Sequence, residues 1–329
     1  MKFTFCTYFD QNYLARGLVM MDSLLRFYPN TLIWVLCLDE ITYRYLNGVS
    51  NGSIIPLSLK ELESHYPELI EAKRERTLSE YYFTLSPFLP RWILSQNPNI
   101  GSVTYIDADI QFFASPITLF DEIQDNSIGI TEHRFHKSFD QTLPCGRFNV
   151  GWVYFKRDEI ALKCLTQWSN QCVECCTDKP NNGKFADQKY LDSWPDDFEN
   201  VHIFSHPGAN LAPWNVRNHR ITLSKSSILS DSHEIIFYHF HMIRLMRGDY
   251  FYSGLDIYHV PIELRMKLIH SLYIPYIMKV EKTAIMLKSA GVNVDSICSV
   301  RDNSHIEKLS DNSSLLGQKI SDGEIFQIN

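Results

Sequence analysis

The sequence predicts an α/β fold in which a central, mostly parallel sheet is flanked by helices, and two observations support this. Apolar, strand-like runs alternate with amphipathic, helix-like stretches through most of the chain, which is typical of α/β proteins. One run, residues 31–38, is almost continuously apolar, as expected of a strand covered on both faces of a parallel sheet. With 329 residues, of which 45% are hydrophobic, the chain is long enough to bury a sizeable core.

The elements follow one another in a regular order. The chain opens with a strand, a helix and a second strand, which we expect at residues 3–8, 12–27 and 31–38. Residues 59–94 are expected to be largely helical, with prolines at 87 and 90 marking their end. Further strands are predicted at residues 54–57, 102–106, 127–131, 150–155, 201–204 and 235–240.

The C-terminal part of the chain has a different pattern, which predicts an α/β domain at residues 1–260 and a helical extension with a polar tail at residues 261–329. Residues 299–329 are polar and weakly periodic, so we expect a poorly ordered tail or an appended element there. The run 268–287 mixes apolar side chains with lysines. It fits either a packed core helix or a helix that contacts a membrane surface.

Charge and targeting signals restrict the classes of function. The chain carries 31 Lys and Arg against 38 Asp and Glu, and its net charge of −7 argues against a dedicated nucleic-acid-binding protein. The N-terminal residues lack the apolar stretch of a signal peptide, so we expect a cytoplasmic protein. No run approaches the roughly 18 apolar residues of a transmembrane helix, so no transmembrane segment is expected.

The cysteine spacing predicts structural thiols. The eight cysteines lack the paired pattern of a disulfide framework. Cys172, Cys175 and Cys176 supply half of a zinc site, yet no second pair completes a tetrahedral set. Some of them share a helical spacing with Leu165 and Trp168, so we expect them to serve as small core residues.

Two carboxylates stand at the end of one predicted strand. Asp107 and Asp109 directly follow the apolar run 102–106, where a turn would aim both at one hard divalent cation. About one Asp-x-Asp arises by chance in a chain of this length, and a helix cap or solvated strand end is the alternative. The context favours a site, because ligands of open α/β sheets bind at the carboxyl ends of the strands.

Five motifs, taken in order, resemble nucleotide-sugar glycosyltransferases of the A-type (GT-A) fold, especially the retaining family 8. They are residues 6–13, 102–113, 147–155, 185–191 and 237–241. In that family the first motif holds the base and ribose, and the second holds a metal. The third and fourth approach the donor sugar, and the fifth ends in a metal-ligand histidine. The resemblance implies the Rossmann-like GT-A nucleotide-diphospho-sugar transferase fold.

The resemblance also implies a role for each matching residue. Asp107, Asp109 and His239 would bind Mn²⁺ or Mg²⁺, with the histidine favouring Mn²⁺. Asp187 and Gln188 would be the catalytic residues beside the anomeric carbon. The further residues expected to bind the donor are Thr7, Tyr8, Asp10, Tyr13, Arg76, Ala108, Asn149, Gly151 and Arg244.

Two departures from the family concern basic residues. Family 8 usually follows its late histidine with a glycine, a lysine and Pro-Trp, whereas residues 239–248 contain no lysine. Arg244 or Arg247 would then supply the charge that meets the phosphates. An arginine that usually precedes the metal strand is missing, since residues 81–84 read Tyr-Tyr-Phe-Thr, and the nearby substitutes are Lys73, Arg74 and Arg76.

The implied reaction is metal-dependent transfer of a sugar from a nucleotide-sugar donor, expected to be a UDP-hexose. The acceptor would be a carbohydrate or lipid-linked glycan of bacterial cell-surface polysaccharide synthesis, met at the inner face of the membrane. An inverting enzyme would need a base, for which Asp187, Glu132 and His133 are the candidates. The resemblance favours retention instead.

Two alternatives to this enzyme stay open. One is a non-catalytic glycan-binding or scaffolding protein with the same fold. The other is a sugar nucleotidyltransferase, which would normally carry a glycine-rich phosphate loop that residues 7–17 lack.

Two further features each allow two interpretations. His239 and His241 share one face of a predicted strand, so both are metal ligands or one is a core histidine. The irregular loop 207–215 carries Trp214, which is either a platform for a sugar ring or a buried core residue.

Overall fold

A seven-stranded sheet lies at the centre of the computed structural model, which describes residues 3–223, 227–246, 250–292, 319–320 and 322–328. Its strands are β1 (Phe3–Phe9), β2 (Thr31–Cys37), β3 (Ile54–Ser58), β4 (Ser102–Ile106), β6 (Ile128–Glu132), β7 (Phe148–Lys156) and β8 (Val201–Phe204). They are ordered β3-β2-β1-β4-β7-β6-β8. Neighbours run parallel except at β7, which is antiparallel to β4 and β6. The predicted α/β class is confirmed.

The other described strands form three small antiparallel sheets. β5 (Ile110–Phe112) pairs with β12 (Phe237–His239). The second sheet contains β9 (Ile221–Leu223), β10 (Ile228–Ser230) and β11 (His233–Glu234). The third contains β13 (Arg244–Met246), β14 (Tyr250–Tyr252) and β15 (Ile325–Gln327).

Helices connect the strands and cover both faces of the central sheet. Those before β7 are α1 (Leu14–Phe27), α2 (Glu40–Val49), α3 (Leu59–His65), α4 (Glu68–Glu75), α5 (Leu78–Leu85), α6 (Phe88–Gln96), α7 (Ile117–Ile123) and α8 (Thr142–Cys145). Those after it are α9 (Glu159–Glu174), α10 (Trp194–Asp197), α11 (Ile262–Leu268), a π-helical turn (Ile269–Tyr273) and α12 (Ile274–Ser289).

The stretch predicted to be largely helical, residues 59–94, folds into the four helices α3 to α6. Pro67 immediately precedes α4, and Pro87 immediately precedes α6, because proline is tolerated at the start of a helix but not in its interior. Helix α5 begins at a capping box in which Thr77 and Glu80 satisfy each other's backbone N–H groups.

The alternation of β2 explains why its sequence is apolar throughout. Ile33 and Val35 pack into the cluster beneath α1, whereas Leu36 packs into the cluster beneath α6 and α9. Both faces of the strand are thus covered, as the sequence predicted. The second cluster also contains Cys172 and Cys176, which confirms that these thiols are core residues.

The C-terminal helices pack on the sheet domain. Tyr276, Val280 and Leu287 of α12 are buried in the same cluster as α1. The boundary at residue 260 stays a prediction. Among the residues that the structure describes, no helix is long and apolar enough to cross a membrane.

For residues 325–327, the structure agrees with the second of the two alternatives for the tail, an appended element. These residues form β15 on the edge of the third small sheet, because Ile325 is buried there and Phe326 packs on Phe251. Weak periodicity hid a strand of only three residues. The rest of the predicted tail, up to residue 318, lies outside the described residues.

Candidate active site

The strand β4 delivers two carboxylates to the carboxyl edge of the sheet. After Ile106 the chain turns through Asp107 and Asp109 into β5, which pairs with β12 and sets His239 opposite Ile110. The Nε2 atom of His239 lies 3.0 Å from Oδ1 of Asp109 and 3.7 Å from Oδ2 of Asp107. One potential ligand atom from each of the three residues lies within 4.8 Å of the others. We call these three residues the carboxylate centre.

A glycine in β7 makes room for the histidine ring. A Cβ on Gly151 would stand 2.9 Å from Nδ1 of His239 and 2.6 Å from Oδ1 of Asn149, and neither atom is able to withdraw easily in this packed region. Asn149 Oδ1 instead accepts a hydrogen bond from the Gly151 N–H at 2.9 Å. Gly151 therefore supports the carboxylate centre from behind and does not line the cleft described below.

The charges of the centre are strongly coupled. Burial raises the pKa of Asp107 to about 6, a shift that His239 partly opposes. For Asp109, burial acts in the same direction, but the charge and hydrogen bond of His239 outweigh it and hold the pKa well below its usual range. Burial also disfavours the charged form of His239, yet Asp109 and Asp107 raise its pKa. Asp109 and His239 thus each favour the charged form of the other.

The donor set suits a hard divalent cation. Two carboxylates and one imidazole, converging in a partly enclosed cleft, match the ligand preferences of Mn²⁺ and Mg²⁺. The other ring nitrogen of His239, Nδ1, is buried and has no hydrogen-bond partner among the described residues, so no contact locks the ring against presenting Nε2 to a metal. The residues present fit the ion that the sequence implied.

A cleft of about 520 Å³ opens in front of the centre. One side is lined by ends of the first strands and by α5, including Tyr8, Asp10, Tyr13, Leu38 and Tyr82. The opposite side carries an aromatic wall made of Phe135, Phe139, Trp214 and Tyr258. Of the residues expected from the sequence, the cleft brings together Tyr8, Asp10, Tyr13, Asp107, Ala108, Asp109, Asn149, Asp187, Gln188, His239 and Arg244.

The segment before the short 3-10 turn at 189–193 is pinned in an unusual backbone conformation. Ala186 has a φ of +45°, a left-handed value that costs energy for a residue with a side chain. The carbonyl of Asp187 accepts a hydrogen bond from Trp168 Nε1 at 2.8 Å, and Gln188 Nε2 donates to the Cys145 carbonyl at 2.7 Å. Burial, with a contribution from Asp107, raises the pKa of Asp187 to about 7.

The first-strand motif divides between the cleft and the core. Asp10 lines the cleft and its Oδ1 accepts hydrogen bonds from the N–H groups of Asn12 and Tyr13, at 3.0 and 3.2 Å. Tyr8 lines the cleft as well, with its hydroxyl 3.1 Å from Ser86 Oγ. Thr7 is fully buried and points away from the cleft, because side chains alternate along a strand.

Of the two arginines proposed to meet the phosphates, Arg244 lines the cleft, and Arg247 lies outside the described residues. Arg76 was also expected to bind the donor, but it is absent from the cleft lining, so that expectation is wrong. Its guanidinium donates to the hydroxyl of Thr84 and to the carbonyls of Cys172 and Val173 at the end of α9, which engages its N–H donors. Proximity in sequence to the missing family arginine was a poor guide to its direction.

Several functional residues were missed in the sequence. The hydroxyl of Tyr105 donates to Asp107 Oδ1 at 2.9 Å, and its spacing of two from Asp107 on one strand was a usable signal. Arg16 of α1 is buried, stacks over Tyr13 and lowers the pKa of Asp109 through its charge. Tyr13 is close to Arg16 in sequence, but Asp109 and the Ile243 carbonyl, which give Arg16 its place at the site, are distant from it in the chain.

Trp214 is both buried and part of the cleft, so the two interpretations of this residue are compatible. Its ring lies edge-on to His239 and His241, with centroid distances of 5.1 and 5.3 Å. His241 also lines the cleft, but its imidazole is outside the group of three ligand atoms found in the described chain. Burial and the neighbouring His239 lower the pKa of His241 to about 4, so it is neutral at pH 7.

The chain is similar in sequence to proteins of Bacillus subtilis. The chain is 30% identical to the uncharacterized protein YfnD of Bacillus subtilis over 294 residues, which cover 88% of this chain and 92% of YfnD. It is 33% identical to the uncharacterized protein YfnF of the same organism over 254 residues, which cover 75% of this chain and 83% of YfnF. No protein-family model matches the chain.

Two solved structures are similar in fold. The galactosyltransferase LgtC, in complex with donor and acceptor sugar analogues, has a TM-score of 0.50 at 17% identity, covering 80% of this chain and all of LgtC. The glycosyltransferase GlyE of Streptococcus pneumoniae has a TM-score of 0.52 at 14% identity, covering 90% of this chain and 65% of GlyE. The chain therefore belongs to one family with YfnD and YfnF, and it has the GT-A glycosyltransferase fold.

Proposed function

We propose that the protein is a metal-dependent glycosyltransferase that moves a sugar from a nucleotide-sugar donor to a glycan acceptor. The observation that carries the proposal is the meeting of Asp107, Asp109 and His239 at one point of a cleft, at the carboxyl edge of a GT-A sheet. Ligands of open α/β sheets bind at this edge. A nucleoside diphosphate is strongly anionic, and these three residues offer the means of binding a cation beside it.

The carboxylate centre would hold Mn²⁺ or Mg²⁺. When bound, such an ion supplies Lewis-acid stabilisation of the negative charge that develops on a departing diphosphate. The chain's own residues prepare the site, because Tyr105 fixes one oxygen of Asp107 and Gly151 leaves space for the ring of His239. Imidazole favours Mn²⁺ over Mg²⁺, and we propose Mn²⁺ on that ground.

The donor would lie along the cleft from β1 towards Gln188. Tyr8, Asp10 and Tyr13 supply aromatic faces and a carboxylate for the base and ribose, and we propose uridine. Arg244 supplies the positive charge for the phosphates. It lines the same cleft as Asp107, although the two residues are far apart in sequence. A hexose would then face Asn149, Asp187 and Gln188, among the described residues of the lining. In this arrangement Asp187 and Gln188 would lie beside the anomeric carbon.

We further propose that the reaction retains the anomeric configuration. Two of the three bases that inversion would use are engaged in other contacts. Glu132 pairs with Arg147 at 2.6 Å and is absent from the cleft lining, and His133 Nδ1 lies 3.1 Å from the Gly146 carbonyl. Asp187 remains, but its raised pKa of about 7 leaves it only partly ionised at neutral pH. In a retaining transfer the leaving phosphate takes the acceptor proton.

The aromatic wall is the proposed acceptor side of the cleft. Flat aromatic faces such as Trp214 and Tyr258 bind the apolar faces of sugar rings. We propose a carbohydrate or lipid-linked glycan acceptor of bacterial polysaccharide synthesis, used in the cytoplasm. Exposed Met278 and Ile285 stand beside Lys282 on the outer face of α12, which supports a peripheral contact with the inner membrane face.

One observation argues against each of the two alternatives, the scaffold and the nucleotidyltransferase. A scaffold has no need for two half-buried carboxylates that compete for one buried histidine, an arrangement that is costly unless a ligand uses it. A nucleotidyltransferase would need a glycine-rich phosphate loop, whereas the turn after β1 carries Asp10, Gln11 and Asn12.

The testing experiment is thermal unfolding of the purified protein with a panel of nucleotides and nucleotide sugars, each with Mn²⁺ and with EDTA. A ligand that binds only the folded state raises the melting temperature. We expect one donor series to stabilise the protein with Mn²⁺ and not with EDTA. Release of the nucleoside diphosphate from the same donor then measures turnover, and the anomer of the product, read by NMR, decides retention.

The matched variants are Asp107→Asn and Asp109→Asn, with Asp121→Asn on the exposed side of α7 as the control. The first two should lose the metal-dependent stabilisation, and the control should keep it. A wild-type protein that responds to no nucleotide under either condition would contradict the proposal and favour the scaffold.

A further inference from the structure

Arg244, the arginine of the cleft, lies on a small three-stranded sheet. Arg244 is the first residue of β13 and pairs with Tyr252 of β14. Tyr252 pairs in turn with Ile325 of β15, so β14 is the central strand and β13 is one edge. Each strand has three residues. A two-stranded ribbon of that size is marginal in water, so β13 and β14 depend on a third strand.

The third strand comes from the C-terminus and is anchored by side chains. Ile325 is 1% exposed, and the ring of Phe326 stacks on Phe251 of the central strand with centroids 5.5 Å apart. Phe251 is fully buried in the main cluster that also contains α1 and α12. Phe326 packs against the same cluster, so the C-terminal strand adds a second attachment of the Arg244 hairpin to the body of the protein.

The turn that leads into β15 is anchored as well. Arg265 of α11 donates from Nε to the carbonyl of Val260 at 2.8 Å and from Nη1 to the carbonyl of Gly323 at 2.9 Å. Gly323 has a φ of +65°, and a Cβ there would collide with Ile262. The positive φ favours glycine at this position, and the tip of Ile262 would have to move to admit a larger residue.

We propose that residues 319–320 and 322–327 act as a C-terminal brace that holds Arg244 in the donor cleft. The inference rests on the proposed function, in which Arg244 meets the donor phosphates. On a loosely paired hairpin, the guanidinium would lose conformational freedom when the donor binds, and this entropy cost would weaken binding. On a braced hairpin the guanidinium already has a fixed position, so the cost is smaller. The brace residues touch no substrate in this scheme and are positioning residues.

The first test needs no nucleotide and measures hydrogen exchange in the full-length chain. Ile325→Asp places a charge in the buried strand, and Gln327→Asp places the same charge on the exposed end of that strand. We expect exchange at the amides of β13 to speed up about tenfold or more in Ile325→Asp, with β1 unchanged as an internal reference for the fold. Gln327→Asp should behave as wild type. Unchanged exchange in β13 would overturn the brace.

The second test measures binding of UDP with Mn²⁺ by calorimetry. Arg244→Ala should weaken binding by about tenfold or more, as expected for a charge-assisted contact. Ile325→Asp should weaken it by a similar factor, and the double variant should bind no more weakly than Arg244→Ala alone. Ile325→Ala serves as the milder variant if the aspartate disrupts folding.

The outcomes separate the inference from the proposed function. Losses that multiply in the double variant, or wild-type affinity in Ile325→Asp, would overturn the role of the brace in donor binding while leaving the glycosyltransferase in place. A wild-type protein that binds neither UDP nor any other nucleotide would overturn the proposed function and, with it, that role of the brace.

Discussion

The two sides of the cleft are built in different ways. The carboxylate centre stands on paired strands, with Asp107 and Asp109 between β4 and β5 and His239 at the end of β12. The aromatic wall stands on connecting segments, since Phe135, Phe139 and Trp214 lie outside every described strand and every α-helix. The centre is charged and tightly spaced, and the wall is neutral and broad.

This difference suggests a division of labour. Strand-borne ligands are held to within tenths of an ångström, which suits metal and phosphate chemistry. Loop-borne aromatic residues tolerate substitution and change of shape, which suits selection among acceptors. Within one family we expect the centre to set the reaction and the wall to set the acceptor, and four predictions test that contrast in order of expected effect.

The largest effect should come from the centre. Asp109→Asn removes the charge that pairs with His239 and, in the proposed function, a metal ligand. Turnover should fall by about 100- to 1,000-fold, the cost of losing one charge-stabilising group. Asp121→Asn on α7 is the control, and release of nucleoside diphosphate is the measurement. Equal activity of the two variants would break the contrast between centre and surface.

The second effect concerns pH, and it involves Asp187 next to the centre. Its folded-state pKa is raised to about 7, so between pH 4 and 7 the folded chain binds this proton more tightly than the unfolded chain does. Stability from this group is therefore complete below pH 4 and is lost as pH rises. Between pH 5 and 7 the metal-free wild type should lose roughly 2–3 kcal/mol of unfolding free energy relative to Asp187→Asn.

Urea unfolding of both proteins at the two pH values measures this difference. Asp125→Asn, on the exposed surface after α7, should follow the wild type. Parallel pH profiles for wild type and Asp187→Asn would show that the carboxyl is ionised throughout, and would contradict the raised pKa.

A third, smaller effect should come from Tyr105, which supports Asp107 of the centre. Tyr105→Phe removes the hydroxyl that fixes Oδ1 of Asp107, and support of this kind is commonly worth about tenfold in metal affinity. Mn²⁺ affinity, measured by electron paramagnetic resonance with UDP present, should fall by about that factor. Tyr154→Phe, on the neighbouring strand β7, is the matched control. Unaltered affinity in Tyr105→Phe would mean that the centre is rigid without its support.

The smallest effect should come from the wall. Phe139→Ala removes an aromatic face that lies 5.2 Å from Tyr258 and lines the cleft. The KM for the acceptor should rise about 3- to 10-fold, as expected for loss of one aromatic contact, with the donor KM unchanged. Phe27→Ala, at the end of α1 and outside the cleft, is the control. A rise in donor KM instead would place the donor, and not the acceptor, against the wall.

The same contrast explains what the sequence was able to predict. The pair Asp107 and Asp109 was visible because strand, turn and carboxylates are consecutive, and a local pattern suffices. The wall was visible only as isolated aromatic residues, since Phe135 and Tyr258 become neighbours through the fold. Arg76 was misplaced for the same reason, because its partners at Cys172 and Val173 are far away in sequence.

The prediction of secondary structure had the same limit, because it too depended on local sequence patterns. Long apolar runs such as β2 were predicted to within a residue, whereas β15 was missed because three residues carry no periodicity. Its stability comes from Phe251 and Arg265, which precede it by many residues. Interactions distant in sequence decide both of these details, and local patterns in a single sequence do not report them.

The pairing of β5 with β12 has a consequence for synthesis of the protein. Ile110 and His239 are joined only after most of the chain has been made, and closing so long a loop is entropically expensive. Because domains fold as their residues leave the ribosome, the early sheet strands have time to form before His239 emerges. A newly made chain therefore brings the three residues of the carboxylate centre together late, and a divalent ion bound there would be unable to guide the first steps of folding.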